Sequence, residues 1–198
     1  DRGTFIKDII SDNIMLGDIY MRAKELRVGA DIPRGVFVVR SLKKGESVPT
    51  DTVQALFPDR QSDFVLSVGD GDVALIRQMP EGSNVKELNK IAVSIEEALR
   101  VEGESTVVVG IGTIAIHLRD LAKSYKEAQI AIEVGKVFDT EKYVINYENL
   151  GIGRLIYQLP TTLCEMFLQE VFKKNPIDAL DRETLFTIHK FFENNLNV

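Results

Sequence analysis

The sequence predicts an α+β fold, in which a ferredoxin-like βαββαβ core forms a mainly antiparallel sheet with helices packed on one face. Two observations support this prediction. Short β-branched runs alternate with stretches of helical periodicity along the chain. Gly69, Asp70 and Gly71 separate two of those runs, a pattern typical of a hairpin between neighbouring strands.

The segment before the hairpin is predicted to contain helices and the first strand. Apolar residues from Phe5 to Leu26 recur at near-helical spacing, and Gly17 is predicted to separate two helices. Residues 36–42, VFVVRSL, form a short apolar run that is typical of a buried strand. A short helix should follow, with Thr50 as its capping residue.

The hairpin itself is predicted to join strands at 63–68 and 72–78. A long helix should come next, because Asn84 and Glu87 have the spacing of a capping box ahead of a periodic apolar stripe. Residues 107–112 then predict another strand. The last helix of the core is predicted to end at Gly135, and its apolar face comprises Leu118, Leu121, Ala122, Tyr125, Ala128 and Ile132.

We expect three regions along the chain. Residues 1–30 are predicted to form N-terminal helices, 31–147 the α+β domain, and 148–198 a helical extension punctuated by prolines. The chain starts at an aspartate and stops in the tail ENNLNV, so we expect it to be a fragment of a longer protein.

Composition and charge exclude several classes of protein. The 198 residues are 44% apolar and 27% charged, as in an ordinary globular protein. No apolar run approaches the length of a membrane span and no signal segment is present, so we expect a cytoplasmic protein with no membrane partner. The net charge of −6 argues against DNA binding by these residues alone. Lys43 and Lys44 are interpreted as a solvated turn.

The stretch VVVGIGTIA at 107–115 matches the spacing of a dinucleotide-binding loop. That loop requires a helix directly after its glycines and a second parallel strand after the helix. The β-branched TIAIH segment delays the helix, and no suitable second strand and crossover are evident in the sequence. We therefore interpret Gly110 and Gly112 as positions where the strand bends or approaches another backbone.

Three segments together resemble a known family. Residues 107–112 carry a glycine-containing strand, 118–136 a Ser-Tyr-x-x-Ala helix, and 147–159 a Leu-Gly-x-x-Arg-Leu helix. This order resembles the GGDEF-like domain of bacterial transcription regulators of carbohydrate-diacid and purine catabolism, a degenerate relative of the diguanylate cyclases. The resemblance covers nearly the whole chain.

The resemblance allows a test for cyclase chemistry. Joining two nucleoside triphosphates requires carboxylates that hold divalent metal ions against phosphate oxygens. Active cyclases have one such carboxylate at the end of the first strand, where this chain has Arg40 and Ser41. The second motif, a glycine turn in the hairpin, is only approximated here, by Gly69, Asp70, Gly71 and Asp72.

We therefore expect no catalysis, no cofactor and no resident metal, and we interpret Asp70 and Gly71 as the positive-φ residues of a tight turn. Asp70 and Asp72 remain an alternative, residual nucleotide or metal site. His117 and His189 are too few for a zinc site without further ligands, and Cys164 is interpreted as a buried, inert thiol that can form no internal disulfide.

The resemblance also implies a role. The helices of 148–198 would lead into a helix-turn-helix beyond Val198, so DNA contacts are assigned to no residue of this chain. We expect a non-catalytic domain that receives a signal or mediates homodimerisation, with an unknown small molecule as a possible effector and DNA bound only through the missing C-terminal domain. The alternatives are a residual nucleotide-binding domain and a structural spacer.

Overall fold

The computed structural model describes residues 1–103, 105–138 and 142–151, together with 160, 162 and 166. The chain forms two compact units, Asp1–Asn149 and Leu150–Val198. The predicted C-terminal helices, Cys164 and His189 lie outside the described residues.

The first unit contains alternating helices and strands, and the α+β class is confirmed. The predicted order of strand, helix, strand, strand, helix, strand and helix is also confirmed, from β1 to α5. The elements are α1 Arg2–Ile10, α2 Leu16–Glu25, β1 Arg34–Ser41, α3 Thr50–Leu56, β2 Asp63–Val68, β3 Asp72–Gln78, α4 Val85–Val101, β4 Val107–Ile111, α5 Leu121–Phe138 and β5 Val144–Asn146. Single 3-10 turns occupy Leu118–Asp120 and Tyr147–Asn149. No helix among the described residues is long and apolar enough to cross a membrane.

The five strands lie in the order β2-β3-β1-β4-β5. The first three pairings are antiparallel, and β5 pairs parallel to β4. The expectation that no second strand and crossover follow the glycine run is therefore wrong, because β4, α5 and β5 form a βαβ crossover. The sequence did not reveal β5 because its three residues are too few to show a period.

Helices cover both faces of the sheet, so the prediction that they pack on one face is wrong. Val36 of β1 belongs to a buried cluster with residues of α1, α2 and the start of α5. Phe37 and Val39 point the other way, into a cluster with residues of α3 and α4. The physical reason is visible in β1, which is apolar at consecutive positions and therefore has two faces to bury.

The break between α1 and α2 lies before Gly17, which is inside the first turn of α2 and does not separate the helices as predicted. Residues 11–15 connect the two helices, and Asp12 there has a φ of 57°. Aspartate tolerates this left-handed conformation better than most residues, because its short side chain can hydrogen-bond locally.

Two other predicted helix ends differ in the structure. Pro49 occupies the N-cap position of α3, and Thr50 is its first helical residue. Helix α5 continues through Gly135 to Phe138. A Cβ atom on Gly135 would collide with the Ile145 side chain, so this glycine allows α5 to pack against β5 instead of ending the helix.

The capping box at α4 is confirmed. The Lys86 backbone N–H donates to Asn84 Oδ1 at 2.9 Å, and the Asn84 backbone N–H donates to Glu87 Oε2 at 2.7 Å. The helix then buries Leu88, Ala92, Ile95 and Leu99 on the face that packs against the sheet. The capping box and the apolar stripe indicate the same helix, which explains why the sequence predicts it clearly.

The glycines of the VVVGIG strand lie directly under α5, which confirms the interpretation of a close backbone approach. A Cβ atom on Gly110 would lie closer than 3.0 Å to the Ala128 carbonyl oxygen, and one on Gly112 would lie that close to the Ser124 carbonyl oxygen. Gly110 faces Ala128 in the second turn of α5, and Gly112 faces Ser124 at the end of the first turn. A dinucleotide loop would lead directly into its helix, whereas residues 113–120 separate Gly112 from the start of α5.

We expect Gly112→Ala to lower the free energy of unfolding by about 2–3 kcal/mol, because α5 must shift away from β4 to admit the methyl group. Gly17→Ala is the matched control, since a Cβ atom there meets no described atom within 4 Å. It should leave stability unchanged or raise it by up to about 1 kcal/mol. Urea unfolding at about 1 µM protein measures both variants; equal stabilities for the two would contradict the close approach.

Candidate site at the ends of the first strand and the hairpin

The hairpin turn of Gly69, Asp70, Gly71 and Asp72 lies between β2 and β3, as predicted. Gly69 and Gly71 have φ angles of 54° and 105°. Asp70 does not have a positive φ, so the prediction that Asp70 and Gly71 supply the positive angles is wrong for Asp70. The two glycines provide the turn, and the Asp70 side chain is not required for its backbone geometry.

Arg40 and Asp72 form the centre of the candidate site. Arg40 lies near the end of β1, and Asp72 begins β3, the antiparallel neighbour of β1. The Arg40 Nε donates to Asp72 Oδ1 and Oδ2 at 3.2 and 3.1 Å, and Nη2 donates to Oδ2 at 2.9 Å. The guanidinium therefore engages both oxygens of the carboxylate, the strongest geometry for such a pair.

Glu133 on α5 completes the network, because Arg40 Nη1 donates to its Oε1. The Arg40 and Asp72 side chains are only 23% and 14% exposed, so water screens their attraction incompletely. The hydrogen bond to Asp72, together with the charges of both carboxylates, raises the pKa of Arg40 above its ordinary value. One fixed cation is thus shared by two carboxylates from different elements.

Tyr125, two turns before Glu133 on α5, lies beside the same network. Burial raises the pKa of its phenol above the ordinary value of 10.0; the negative charge of Asp72 adds to this, and Arg40 opposes it. The phenol therefore stays neutral at physiological pH. Its hydroxyl oxygen lies 3.4 Å from Gln129 Nε2, which donates to it.

The carboxylates of this site face a guanidinium, whose positive charge opposes the approach of a second cation. The negative charge of Asp72 is balanced by the Arg40 guanidinium. Asp70 is exposed at the turn. Among residues 1–103, 105–138 and 142–151, no group of three or more His, Cys, Asp or Glu side chains is placed to hold a metal ion.

Tyr125 and Glu133 are members of this site that the sequence does not predict. Tyr125 was assigned only to the apolar face of its helix, and Glu133 was not singled out. The Ser-Tyr-x-x-Ala motif could have indicated Tyr125, because its serine and alanine mark the part of α5 that approaches the strand. Ser124 and Ala128 are the two residues whose carbonyls approach Gly112 and Gly110.

A second set of polar contacts fixes α5 against the segment after β4. Thr113 donates from its backbone N–H and its hydroxyl to Glu127 Oε2, at 2.9 and 2.6 Å. The Ser124 hydroxyl donates to the Thr113 carbonyl oxygen at 2.6 Å. Glu127 and Ser124 are buried, so each buried polar group in this junction has a partner. These bonds set the position of Tyr125 and Glu133 along the sheet.

A cavity of about 530 Å³ lies at the opposite end of the β2–β3 hairpin and has the size of a small-molecule site. The Asp63 carboxylate accepts a hydrogen bond from Arg77 Nη1 at 2.8 Å, and the Arg77 guanidinium lies 5.0 Å from the centre of the Phe57 ring. The lining residues are Leu56, Pro58, Asp59, Ser62, Asp63, Arg77, Gln78, Met79 and Pro80.

The remaining residues considered from the sequence do not join either site. His117 Nδ1 lies 2.7 Å from Asp31 Oδ1, so this histidine pairs with a carboxylate between α2 and β1. Lys43 and Lys44 are exposed in the turn after β1, as predicted.

Asp59 and Asp63 beside the cavity should respond to pH in opposite directions. Burial raises the pKa of Asp63 above 3.8, against the lowering effect of Arg77. Its contribution to stability is therefore complete below 3.8 and lost as the pH rises through the raised pKa. Hydrogen bonds from Ser62 and from the Gln61 N–H lower the pKa of Asp59, so its contribution is present above 3.8 and lost as the pH falls through the lowered value.

As the pH falls from about 6 to about 3, the wild-type chain should gain stability relative to Asp63→Asn and lose it relative to Asp59→Asn. Urea unfolding across that range measures both differences. If both move in the same direction, the assigned causes of the two pKa shifts are wrong.

The comparison with protein families identifies the domain that these elements form. Residues 12–134, more than half of the chain, match the GGDEF-like domain. The match extends from the segment before α2 into α5, and therefore includes the hairpin turn and Arg40. No curated protein matches the chain significantly. From the family match, the chain belongs to the GGDEF-like domain family.

Proposed function

We propose that this chain is a non-catalytic, signal-receiving and dimerisation domain of a cytoplasmic bacterial transcription regulator of catabolic genes. The observation that carries the non-catalytic part is the bidentate contact of Arg40 with Asp72. Membership of the GGDEF-like family supports the domain assignment. The resemblance of the Ser-Tyr-x-x-Ala and Leu-Gly-x-x-Arg-Leu segments to regulators of carbohydrate-diacid and purine catabolism supports the regulatory part.

The argument against catalysis is electrostatic. Phosphoryl transfer between nucleotides uses divalent ions to neutralise the charge that develops on phosphate oxygens, and carboxylates hold those ions. Arg40 supplies a single positive charge whose N–H groups are already committed to Asp72 and Glu133. A divalent ion at Asp72 would have to displace the guanidinium and would then lie beside it. With Arg40 at this position, an ion pair occupies the place where active cyclases hold a metal ion.

Residual nucleotide binding is the alternative in the enzyme class. It would depend on the turn residues Asp70 and Asp72, of which Asp70 is exposed. A structural spacer is the third option, and it predicts that no metabolite stabilises the domain against heat. A small molecule that binds only the folded state, by contrast, raises the unfolding temperature. Such an effector transmits a signal only if it binds one arrangement of the protein more tightly than another.

We expect the wild-type chain to show no Mg²⁺-dependent GTP binding in isothermal titration up to about 1 mM GTP and no turnover of GTP. Arg40→Ala should leave the mostly buried Asp72 carboxylate without its cation and Glu133 with Lys136 alone, and should lower the free energy of unfolding by about 2 kcal/mol. Arg100→Ala is the matched control, because Arg100 pairs with Glu96 on one helix and is 57% exposed. It should cost less than about 0.5 kcal/mol.

Metal-dependent GTP binding that disappears in both Asp70→Ala and Asp72→Ala would replace this proposal with the nucleotide-binding alternative. If Arg40→Ala and Arg100→Ala have the same free energy of unfolding, the Arg40 ion pair does not stabilise the site. The non-catalytic assignment then loses the observation on which it rests.

The DNA-binding part of the proposal concerns residues beyond Val198. We expect the source gene to continue for about 40 to 60 codons that encode a helix-turn-helix with Arg and Lys on its second helix. Sequencing the gene past the codon for Val198 tests this directly. A stop codon at that point would end the DNA-binding proposal and leave the domain assignment intact.

A further inference from the structure

Arg34 is a buried cation without a described counterion. It begins β1 and is only 3% exposed. Its Nη2 donates to the Gly29 carbonyl oxygen at 2.7 Å, and its Nη1 donates to the Ile32 carbonyl oxygen at 3.3 Å. Its buried Nε has no hydrogen-bond partner, and no described carboxylate pairs with this guanidinium. Burial of an unpaired charge is unfavourable, because the charge loses its hydration.

Arg2, at the start of α1, has an unpartnered nitrogen of the same kind. Its Nη2 donates to the Gln61 carbonyl oxygen at 2.8 Å, and its guanidinium lies 5.4 Å from the centre of the Phe64 ring. Its buried Nε has no described partner. In the described part of the chain, the Nε atoms of Arg2 and Arg34 are the only buried side-chain nitrogen or oxygen atoms without a hydrogen bond.

The two arginines lie on the same face of the sheet. Arg34 is two residues before Val36, so both side chains belong to the face that α1 covers. Burial lowers the pKa of Arg34, and the positive charge of Arg2 lowers it further. The two guanidiniums are therefore near enough to repel each other.

The carboxylates nearest to Arg2 have other partners. Asp1 Oδ1 accepts a hydrogen bond from the Thr4 backbone N–H at 2.7 Å, as the N-cap of α1. Asp59 is exposed, and its Oδ1 accepts from the Gln61 backbone N–H at 3.0 Å. Neither forms an ion pair with Arg2 among the residues that the structure describes. The two positive charges of Arg2 and Arg34 thus lack a direct counterion.

We propose that Arg2 and Arg34 bind a tetrahedral dianion, namely phosphate in its free form or as the monoester group of a small molecule. Guanidinium N–H groups have a planar arrangement that matches phosphate oxygens. A dianion balances both charges, whereas a carboxylate would balance only one. Gln78 is exposed and lies opposite Arg34 in the sheet, so the anion enters past this side chain, whose amide can donate to it. The inference is independent of the proposed function.

Isothermal titration of the full chain with inorganic phosphate tests the site, at about pH 8, where phosphate is mainly a dianion. Chloride keeps the ionic strength constant. The wild type should bind phosphate with a dissociation constant on the order of 1 mM. Arg34→Met and Arg2→Met should each raise this constant at least ~10-fold, because each removes one cation. Arg100→Met is the matched control, since Arg100 pairs with Glu96 and is 57% exposed. It should bind as the wild type does.

Thermal unfolding gives a second readout. Phosphate stabilises many proteins because it is excluded from their surfaces, so the specific effect is the difference between the wild type and a variant. Phosphate should raise the unfolding temperature of the wild type and of Arg100→Met more than that of Arg2→Met. Arg34→Met also removes two hydrogen bonds to carbonyl oxygens. Arg2→Met, at a partly exposed position, therefore tests the site even if Arg34→Met fails to fold.

Competing anions test the class of ligand. Sulfate, also a tetrahedral dianion, should displace phosphate, and acetate at the same concentration should not. Acetate as effective as sulfate would overturn the assignment to a dianion. Glycerol phosphate that binds at least as tightly as phosphate would support a monoester ligand, and binding ~10-fold weaker would support free phosphate.

Two results would overturn the site itself. One is a wild-type chain that binds no phosphate up to about 20 mM. The other is phosphate binding by Arg2→Met that equals binding by the wild type. Both would leave the proposed function standing, since it does not depend on this anion.

Discussion

The close approach of α5 to β4 is the constraint on which the candidate site depends. Gly110 and Gly112 allow the helix backbone to lie directly on the strand, and the buried bonds among Thr113, Ser124 and Glu127 fix its position. A side chain at either glycine position would lift the helix. Glu133 would then lose its reach to Arg40 at the end of β1, because both contacts come from the same rigid helix.

The Arg40 network connects three elements that are distant in sequence. It joins the end of β1, the first residue of β3 and the second half of α5. Because the hairpin turn precedes Asp72 directly, the same ion pair restrains the turn. Arg40 thus holds the sheet and the helix together.

The fold was predictable where local and long-range signals agreed, and not elsewhere. Asn84 and Glu87 capped a helix with a clear apolar stripe, and the Gly69–Gly71 turn joined two strong strand patterns. The three-residue β5 has no detectable period, and its pairing depends on the crossover by α5. Gly135 resembled a helix end because glycine ends many helices, but its small size serves packing against Ile145. From the sequence, Arg40 indicates only that the carboxylate implied by the resemblance is missing at this position. Its partner Glu133 lies 93 residues away, and no local pattern reports contacts over such a distance.

The helix that carries Glu133 is also in contact with the N-terminal part of the domain, where α1 packs against α5. Helix α2 packs through Ile19 and Ala23 into the same buried cluster as Leu121 at the start of α5. Continuous side-chain packing therefore connects α2 to the helix that holds Glu133, and a displacement of α2 would act on the Arg40 network through α5.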